Sequence, residues 1–398
     1  MSLKYDICVV GGCGHVGLPL AAAFAKKGLK VCIYDINAAA LKTVQTKKAP
    51  FLEKGLDKIL KKTVDKTLFL SNQPAVVSQA KFVVVVIGTP VDEYLNPKFN
   101  DIRSFFIKLM PQFRQGQILI LRSTVFPGTS ALINKLFKKH RKQVEVTFCP
   151  ERIAEGKALE ELSELPQLIS GFSRKAITQI EKLFSKIAKE TIELTPLEAE
   201  LAKIFINSFR YLRFAIANQF FQIANSHGVE YYKIYHAITH NYPRAKGFAK
   251  AGFAAGPCLL KDTMQLAAFS RNTFFLGHAA MLINEGLPNY IMSQLKLKFD
   301  LAEKKVGILG MAFKGDSDDP RDSLSYKLKK LLELESQEVF CQDAYIKDKR
   351  FVKTPQELIR RSDIVIIGTP HTQYRKLTFG GKQVVDIWDL YGKGVMFK

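Results

Sequence analysis

The chain has 398 residues and a mass of 44.8 kDa, which leaves room for two or three domains with cores of their own and exceeds a single small binding module. Its 47% hydrophobic and 24% charged residues exclude a disordered, collagen-like or low-complexity chain. The 59 basic against 37 acidic side chains give a formal charge of +22. That imbalance points to anionic ligands, although the basic residues form scattered pairs and one short cluster, 138–142, not a continuous arm.

In chain order, Asp6 to Val10 is an apolar strand that meets a glycine turn, and an alanine-rich helix follows from Leu18 to Lys27. A second strand, Lys30 to Tyr34, ends in Asp35. A third, Phe82 to Ile87, ends in Gly88-Thr89-Pro90, and a fourth, Ile118 to Leu121, runs into Arg122-Ser123-Thr124-Val125-Phe126-Pro127-Gly128-Thr129. Short buried strands alternating with helices predict a doubly wound parallel sheet. From Pro196 to Ser226 few breakers occur, which predicts one long helix, and helical sequence continues to about Lys298, interrupted by a glycine-rich stretch from Lys246 to Cys258. Then the first theme returns: Lys305 to Met311, Val339 to Asp343, and Ile364 to Ile367 ending in Gly368-Thr369-Pro370. The expected class is α/β, two doubly wound parallel-sheet domains joined by a long central helix and a helical middle domain. The expected boundaries are 1–195, 196–298 and 299–398.

No apolar run is long enough to span a bilayer, which takes roughly 18–20 residues, and the N-terminus opens on a strand, not a signal core; a cytoplasmic protein is expected. The six cysteines show no CxxC spacing, which predicts reduced thiols with neither a disulfide framework nor a metal site.

Gly12-x-Gly14-x-x-Gly17 sits between a strand and a helix. There the first glycine permits the tight turn, the second lets backbone approach a pyrophosphate, and the third lets helix and strand pack closely. Asp35 closes the next strand where a ribose hydroxyl pair would lie, and its charge would repel the extra phosphate of NADP, so NAD is the expected cofactor. His15 and Val16 in the turn, Thr89 and Pro90, and Ser123 and Thr124 complete the expected cofactor contacts. A purely structural glycine turn beside a surface aspartate is the competing reading. The second glycine turn, Gly307-Ile308-Leu309-Gly310, lacks the full pattern, which argues against a second dinucleotide.

Six segments in this order (the glycine turn, Ser123-Thr124-Val125-x-Pro127-Gly128-Thr129, Pro150-Glu151-x-x-x-Glu155-Gly156, Lys203-x-x-x-Asn207, Cys258-x-x-Lys261-Asp262 and Ala312-Phe313-Lys314) resemble the UDP-glucose/GDP-mannose dehydrogenase family across nearly the whole chain. The resemblance implies two Rossmann-like domains and an enzyme that oxidises the C6 alcohol of a UDP-hexose, UDP-glucose or a UDP-N-acetylhexosamine, to the uronic acid with two NAD per turnover. It implies Cys258 as the nucleophile that holds the aldehyde stage covalently, Lys203 and Asn207 as oxyanion stabilisers, and Asp262, Thr124 and Glu155 as groups that handle protons and a water. Glu151 stands beside them with two readings, a catalytic or substrate contact or a brace for Arg152 and its loop. Packed small residue for Cys258 and solvated surface lysine for Lys203 are the corresponding plain readings.

For the substrate, the resemblance points to Lys314 and Arg321 as phosphate or uridine contacts, with Phe313, Phe253, Gly256, Lys246, Lys261, Arg152, Glu151, Lys203 and Asn207 around the sugar. The loop Gly252-Phe253-Ala254-Ala255-Gly256-Pro257-Cys258 has fewer glycines than is usual in the family, and Asp386 is followed by Ile387, where many members carry arginine. Both departures leave the sugar open. A homodimer is implied, with Phe205, Phe209, Phe214, Phe220 and Phe221 of the central helix as the contact; nucleic-acid and membrane partners are not expected. The competing functions are a β-hydroxyacid-type NAD dehydrogenase, which needs neither a cysteine nor a third domain, and a basic nucleic-acid-binding protein on a dinucleotide fold.

Overall fold

A computed structural model describes residues 3–88, 92, 98–254, 256–392 and 396–397. The chain folds as two compact units, residues 1–205 and 206–398.

The first unit holds an eight-stranded sheet: β1 (Tyr5–Val10), β2 (Val31–Tyr34), β3 (Leu68–Ser71), β4 (Ala80–Val85), β5 (Ile118–Leu121), β6 (Glu145–Phe148), β7 (Gln167–Gly171) and β8 (Thr191–Leu194). Its order is β3-β2-β1-β4-β5-β6-β7-β8. The first six strands are parallel; β7 runs antiparallel to β6, and β8 parallel to β7. The helices are α1 (Gly17–Lys26), α2 (Ala38–Gln45), α3 (Leu56–Thr63), α4 (Phe99–Leu109), α5 (Thr129–Lys139), α6 (Ala158–Glu164) and α7 (Arg174–Phe184). Successive strand residues point to opposite faces, and both faces are buried. Ile7, Val9, Ile33, Val84 and Ile120 pack under Leu18, Ala21 and Phe24 of α1. Cys8, Val10, Val83, Val85 and Leu119 pack under Phe106 of α4 and Ile133 and Phe137 of α5.

Helix α8 (Pro196–Ser226) begins in the first unit and ends in the second. The second unit continues through α9 (Tyr231–Thr239), α10 (Leu259–Phe269) and α11 (Phe275–Lys298) into a four-stranded parallel sheet. That sheet comprises β9 (Lys305–Leu309), β10 (Glu338–Gln342), β11 (Ile364–Ile367) and β12 (Gln383–Val385), in the order β10-β9-β11-β12, with helices α12 (Leu324–Glu335) and α13 (Pro355–Arg361). Val306, Ile308 and Ile366 pack with Leu324, Leu328 and Leu332 of α12, while Val365 and Ile367 pack with Leu358 and Ile359 of α13. The expected class holds: a large parallel-rich sheet, a second parallel sheet and a long central helix.

One expectation needs correction. The five phenylalanines of α8 do not share a face, because residues 220 and 221 lie about 100° apart around a helix. Phe221 is buried in the core, 5.7 Å from the Tyr231 ring, and Phe214 packs on Tyr211 and Ala215. The exposed apolar stripe is instead Phe205, Phe209, Ile216, Phe220 and Ile223, each about half accessible. Among the described residues, no helix is long and apolar enough to cross a membrane.

Candidate active site

The glycine turn follows β1 at the C-terminal end of the sheet. A Cβ on Gly12 would lie 2.8 Å from the Val9 carbonyl oxygen and 2.9 Å from the Ile33 side chain, and one on Gly17 would lie 2.6 Å from Gly12 Cα. Both positions are therefore fixed by the protein's own packing. Gly14 differs: a Cβ there meets only the Gly11 oxygen, at 3.9 Å. The chain itself does not require glycine at 14, which fits a backbone kept clear for a ligand. Helix α1 has no side-chain N-cap and no acid in its first turn, so its positive end keeps its affinity for an anionic group. Asp35 ends β2, and its oxygens accept one N–H each, from Cys13 (2.8 Å) and Asn37 (2.9 Å). The Cys13 thiol also bonds this carboxylate, and the three donors leave lone-pair capacity for a ribose hydroxyl. The residues present thus fit a dinucleotide. Thr89 and Pro90 lie outside the described residues.

These features yield a sharp prediction. Gly14→Ala should leave the melting temperature unchanged and weaken NAD binding at least about tenfold, because its only effect is to obstruct the approaching pyrophosphate. Calorimetric titration checks it; an unchanged Kd would mean that the dinucleotide does not pack on residue 14.

Ser123 and Thr124 follow β5 and are half-buried, as is Glu155 in the loop after β6. Sequence reasoning missed the brace between these loops. Arg122, fully buried, donates to Glu151, to the Cys149 carbonyl (3.1 Å) and to Gln167 Oε1 (3.0 Å), and its guanidinium lies 5.2 Å from the Phe184 ring. Glu151 Oε1 accepts the N–H groups of Arg152 (2.7 Å) and Ile153 (3.0 Å). One oxygen of Glu151 thus holds Arg122 and the other holds two backbone N–H groups, which is the geometry of a brace. Arg152 donates to the Pro166 carbonyl. The available signal was an arginine directly after the all-apolar strand Ile118–Leu121.

Glu200, on the first turns of α8, was also missed as a site residue. It is buried and accepts from Gly128 N (2.6 Å), Ser130 N (2.7 Å) and Ser130 Oγ (2.7 Å), so it caps α5 and ties α8 to the end of the Ser123–Gly128 loop. Burial pushes its pKa up, and these three hydrogen bonds oppose the rise. Lys203 lies one turn further along the same helix and is half-buried.

In the second unit, Cys258 is the N-cap of α10, where the helix macrodipole favours negative charge, and it is exposed. The other five cysteines are buried. Burial pushes the Cys13, Cys149 and Cys341 thiols up to about 12 and Cys32 to about 11, and raises Cys8 well above its usual value. One turn into α10, Asp262 is fully buried; its Oδ2 accepts from Asn207 Nδ2 at 2.6 Å, and its Oδ1 lies 3.5 Å from Lys261 Nζ.

Buried amides hold the loop ahead of Cys258. Asn218 of α8 pairs with both backbone groups of Gly252: Gly252 N–H donates to its Oδ1 (2.8 Å), and its Nδ2 donates to the Gly252 carbonyl (3.0 Å). Asn218 also donates to Asn284 Oδ1 (2.8 Å), and Asn284 donates to the Tyr211 carbonyl (3.1 Å). Gly252 (φ +146°) lies against the Trp388 ring, and Gly256 (φ +102°) against Phe313, so neither tolerates a side chain. Phe253 is buried, while Lys246 is exposed.

Around the second glycine turn, Lys314 lies 5.5 Å from the Phe313 ring. Arg321, an expected phosphate contact, forks onto Asp319 with Nε–oxygen distances of 2.9 Å. Asp343 closes β10 as Asp35 closes β2, but all its capacity is used. Oδ2 accepts from Met311 N, Ala312 N and His371 Nε2, and Oδ1 from Tyr345 N and Ile346 N. Burial alone would raise its pKa; His371 and these hydrogen bonds overcome that and hold it below the usual value. A ribose would find no free acceptor there, in line with a domain that does not take a second dinucleotide.

The parallel sheet, the glycine turn and Asp35 define a dinucleotide-binding protein. Residues 5–188 match the NAD-binding domain of the UDP-glucose/GDP-mannose dehydrogenase family, 197–285 its central domain and 307–393 its UDP-binding domain. The chain belongs to the UDP-glucose/GDP-mannose dehydrogenase family. It is 27% identical to a UDP-N-acetyl-D-mannosamine dehydrogenase of Pyrococcus horikoshii, over 97% of this chain and 92% of that protein. The solved structure of a UDP-D-ManNAc dehydrogenase from Pyrococcus horikoshii superposes with a TM-score of 0.89 at 25% identity, covering 97% of this chain and 96% of that one. A UDP-glucose dehydrogenase from Pyrobaculum islandicum superposes with a TM-score of 0.87 at 25% identity, covering 96% and 94%. The UDP-binding domain sets aside the β-hydroxyacid reading, which has no use for a third domain.

Proposed function

We propose that this protein oxidises the C6 alcohol of a UDP-N-acetylhexosamine, UDP-N-acetylmannosamine first among them, to the corresponding uronic acid. The observation that carries the chemistry is the contrast among the cysteines: five sealed thiols and one, Cys258, exposed at a helix N-terminus. The four electrons leave as two hydrides, which two NAD accept in turn. Between them, the Cys258 thiolate adds to the aldehyde carbon to give a thiohemiacetal; loss of the second hydride leaves a thioester, and water releases the carboxylate and the thiol. Lys203 and Asn207 stabilise the oxyanion at that carbon, with Asn207 held by Asp262. Thr124 and Glu155 position the water and move its proton, and the Arg122–Glu151 brace fixes the loops that carry them. Lys314 and Arg321 contact the diphosphate, with Arg321 exchanging Asp319 for phosphate.

The sugar assignment is supported by the curated relatives, repeatedly UDP-N-acetyl-D-mannosamine dehydrogenases. The Pyrobaculum structure keeps UDP-glucose as a second reading. The reduced thiols suit a cytoplasmic enzyme, and the exposed stripe of α8 suits a homodimer. Incubation with NAD and a panel of UDP-N-acetylmannosamine, UDP-N-acetylglucosamine, UDP-glucose, UDP-galactose and GDP-mannose is expected to give two NADH per sugar with one UDP-N-acetylhexosamine. One NADH per sugar would remove the thioester step.

A further inference from the structure

The charge surplus is concentrated. Residues 26–66 contain eleven lysines, no arginine and four acids, a net charge of +7 in a protein of +22. All eleven lysines are exposed, and among the described residues none forms an ion pair. The four acids are directed elsewhere. Asp35 accepts the N–H groups of Cys13 and Asn37, buried Glu53 that of Gly156 (2.8 Å), Asp57 that of Ala49 (2.7 Å), and Asp65 the Gln45 side-chain amide (3.1 Å). Asp6, across from Lys30, accepts the Lys30 backbone N–H (2.8 Å).

The fold draws a subset of these lysines together. Helices α1 and α3 pack side by side through Phe24, Leu56 and Leu60 and run in the same direction, away from the glycine turn. Thr67 Oγ1 donates to the Ala25 carbonyl (3.0 Å), pinning the end of α3 against the end of α1. Lys26, Lys27 and Lys30 therefore share one end of the sheet with Lys61, Lys62 and Lys66. The helix macrodipole accounts for basic residues in the last turns of α1 and α3. It does not account for Lys27, Lys30 and Lys66 in the turns beyond, nor for the missing counter-charges.

We propose that this lysine face docks the protein on an anionic phospholipid surface, peripherally and reversibly. It lies at the end of the sheet opposite the cofactor turn, so adsorption leaves that turn open. The residue types choose between polyanions. Lysine is a compact, hydrated point charge suited to a diffuse sheet of headgroups, whereas nucleic-acid faces draw on forked arginines and stacking aromatics. The span has no arginine, and its aromatics, Tyr34 and Phe51, are half-buried. The proposal is independent of the enzymatic reading.

The test is co-sedimentation of the full chain with phosphatidylcholine vesicles, with and without phosphatidylglycerol. Partition is expected only with phosphatidylglycerol and should fall steeply with added salt. The variant Lys27→Glu/Lys30→Glu/Lys62→Glu/Lys66→Glu should lose partition on the order of a hundredfold, with NAD affinity and melting temperature retained as the check on folding. No partition at low salt, or equal partition by a folded variant, overturns the proposal. Tighter binding to duplex DNA than to the anionic vesicles at one salt concentration overturns it in favour of a nucleic-acid partner.

Discussion

Cys258→Ala is expected to lower steady-state NADH production on the order of a thousandfold or more and to leave a residual reaction that stops at the aldehyde, one NADH per sugar. In the proposed mechanism the thiol holds the aldehyde carbon tetrahedral with an oxyanion ready to expel the second hydride, and without it only slow hydration replaces that step. The buried cysteines supply the control. Cys149→Ala removes a thiol that burial has pushed up to about 12, so it should change stability and leave the two-to-one stoichiometry intact. The same contrast can be read without substrate, because brief alkylation of the native protein should label Cys258 alone. Labelling spread over several cysteines, or two NADH per sugar from Cys258→Ala, would end the thioester mechanism.

Asn218 contacts no reacting atom by this reading, yet it pins Gly252, six residues ahead of the thiol, with two hydrogen bonds.

What could be read from the chain and what could not divide along the range of the interaction. Strands β1, β5 and β11 are apolar runs that stop at glycine or polar turns, and α8 is a long stretch without breakers; each signal is local and complete. Strands β7 and β8 are not, because the edge strand β8 is only partly buried and alternates Thr191 and Glu193 with apolar residues. The antiparallel turn of β7 against β6 is a choice of tertiary packing that no window of sequence carries. The site divides the same way. Gly12, Gly14, Gly17 and Asp35 lie within one strand–helix–strand segment and were legible. Glu200 meets Ser130 across 70 positions, and Asn218 meets Asn284 across 66, so their roles exist only after folding. Arg321 shows the converse, since its partner Asp319 stood two residues away and a self-contained ion pair was available from the start.

Glu151→Ala is the stability change with the largest expected effect. Arg122 has no accessible side-chain surface, so water does not stand in for a lost partner. Removing the carboxylate leaves that charge, among the described residues, with the Cys149 carbonyl, Gln167 and the Phe184 ring, and it strips the acceptor from the Arg152 and Ile153 amides as well. Breaking a buried pair from one side costs about 3–5 kcal/mol, which corresponds to a fall in melting temperature of about 6–20 °C for a domain of this size. Glu151→Gln keeps an acceptor of the same shape for Arg122 and the two amides, and should recover part of the loss. Replacing both partners, Arg122→Met with Glu151→Leu, relieves the stranded charge but still leaves the two amides without their acceptor, so it should fall between the single variant and the parent. Scanning calorimetry of the four proteins orders them. A drop below about 2 °C for Glu151→Ala would mean that water reaches Arg122 and that the brace between the loops of Thr124 and Glu155 contributes little.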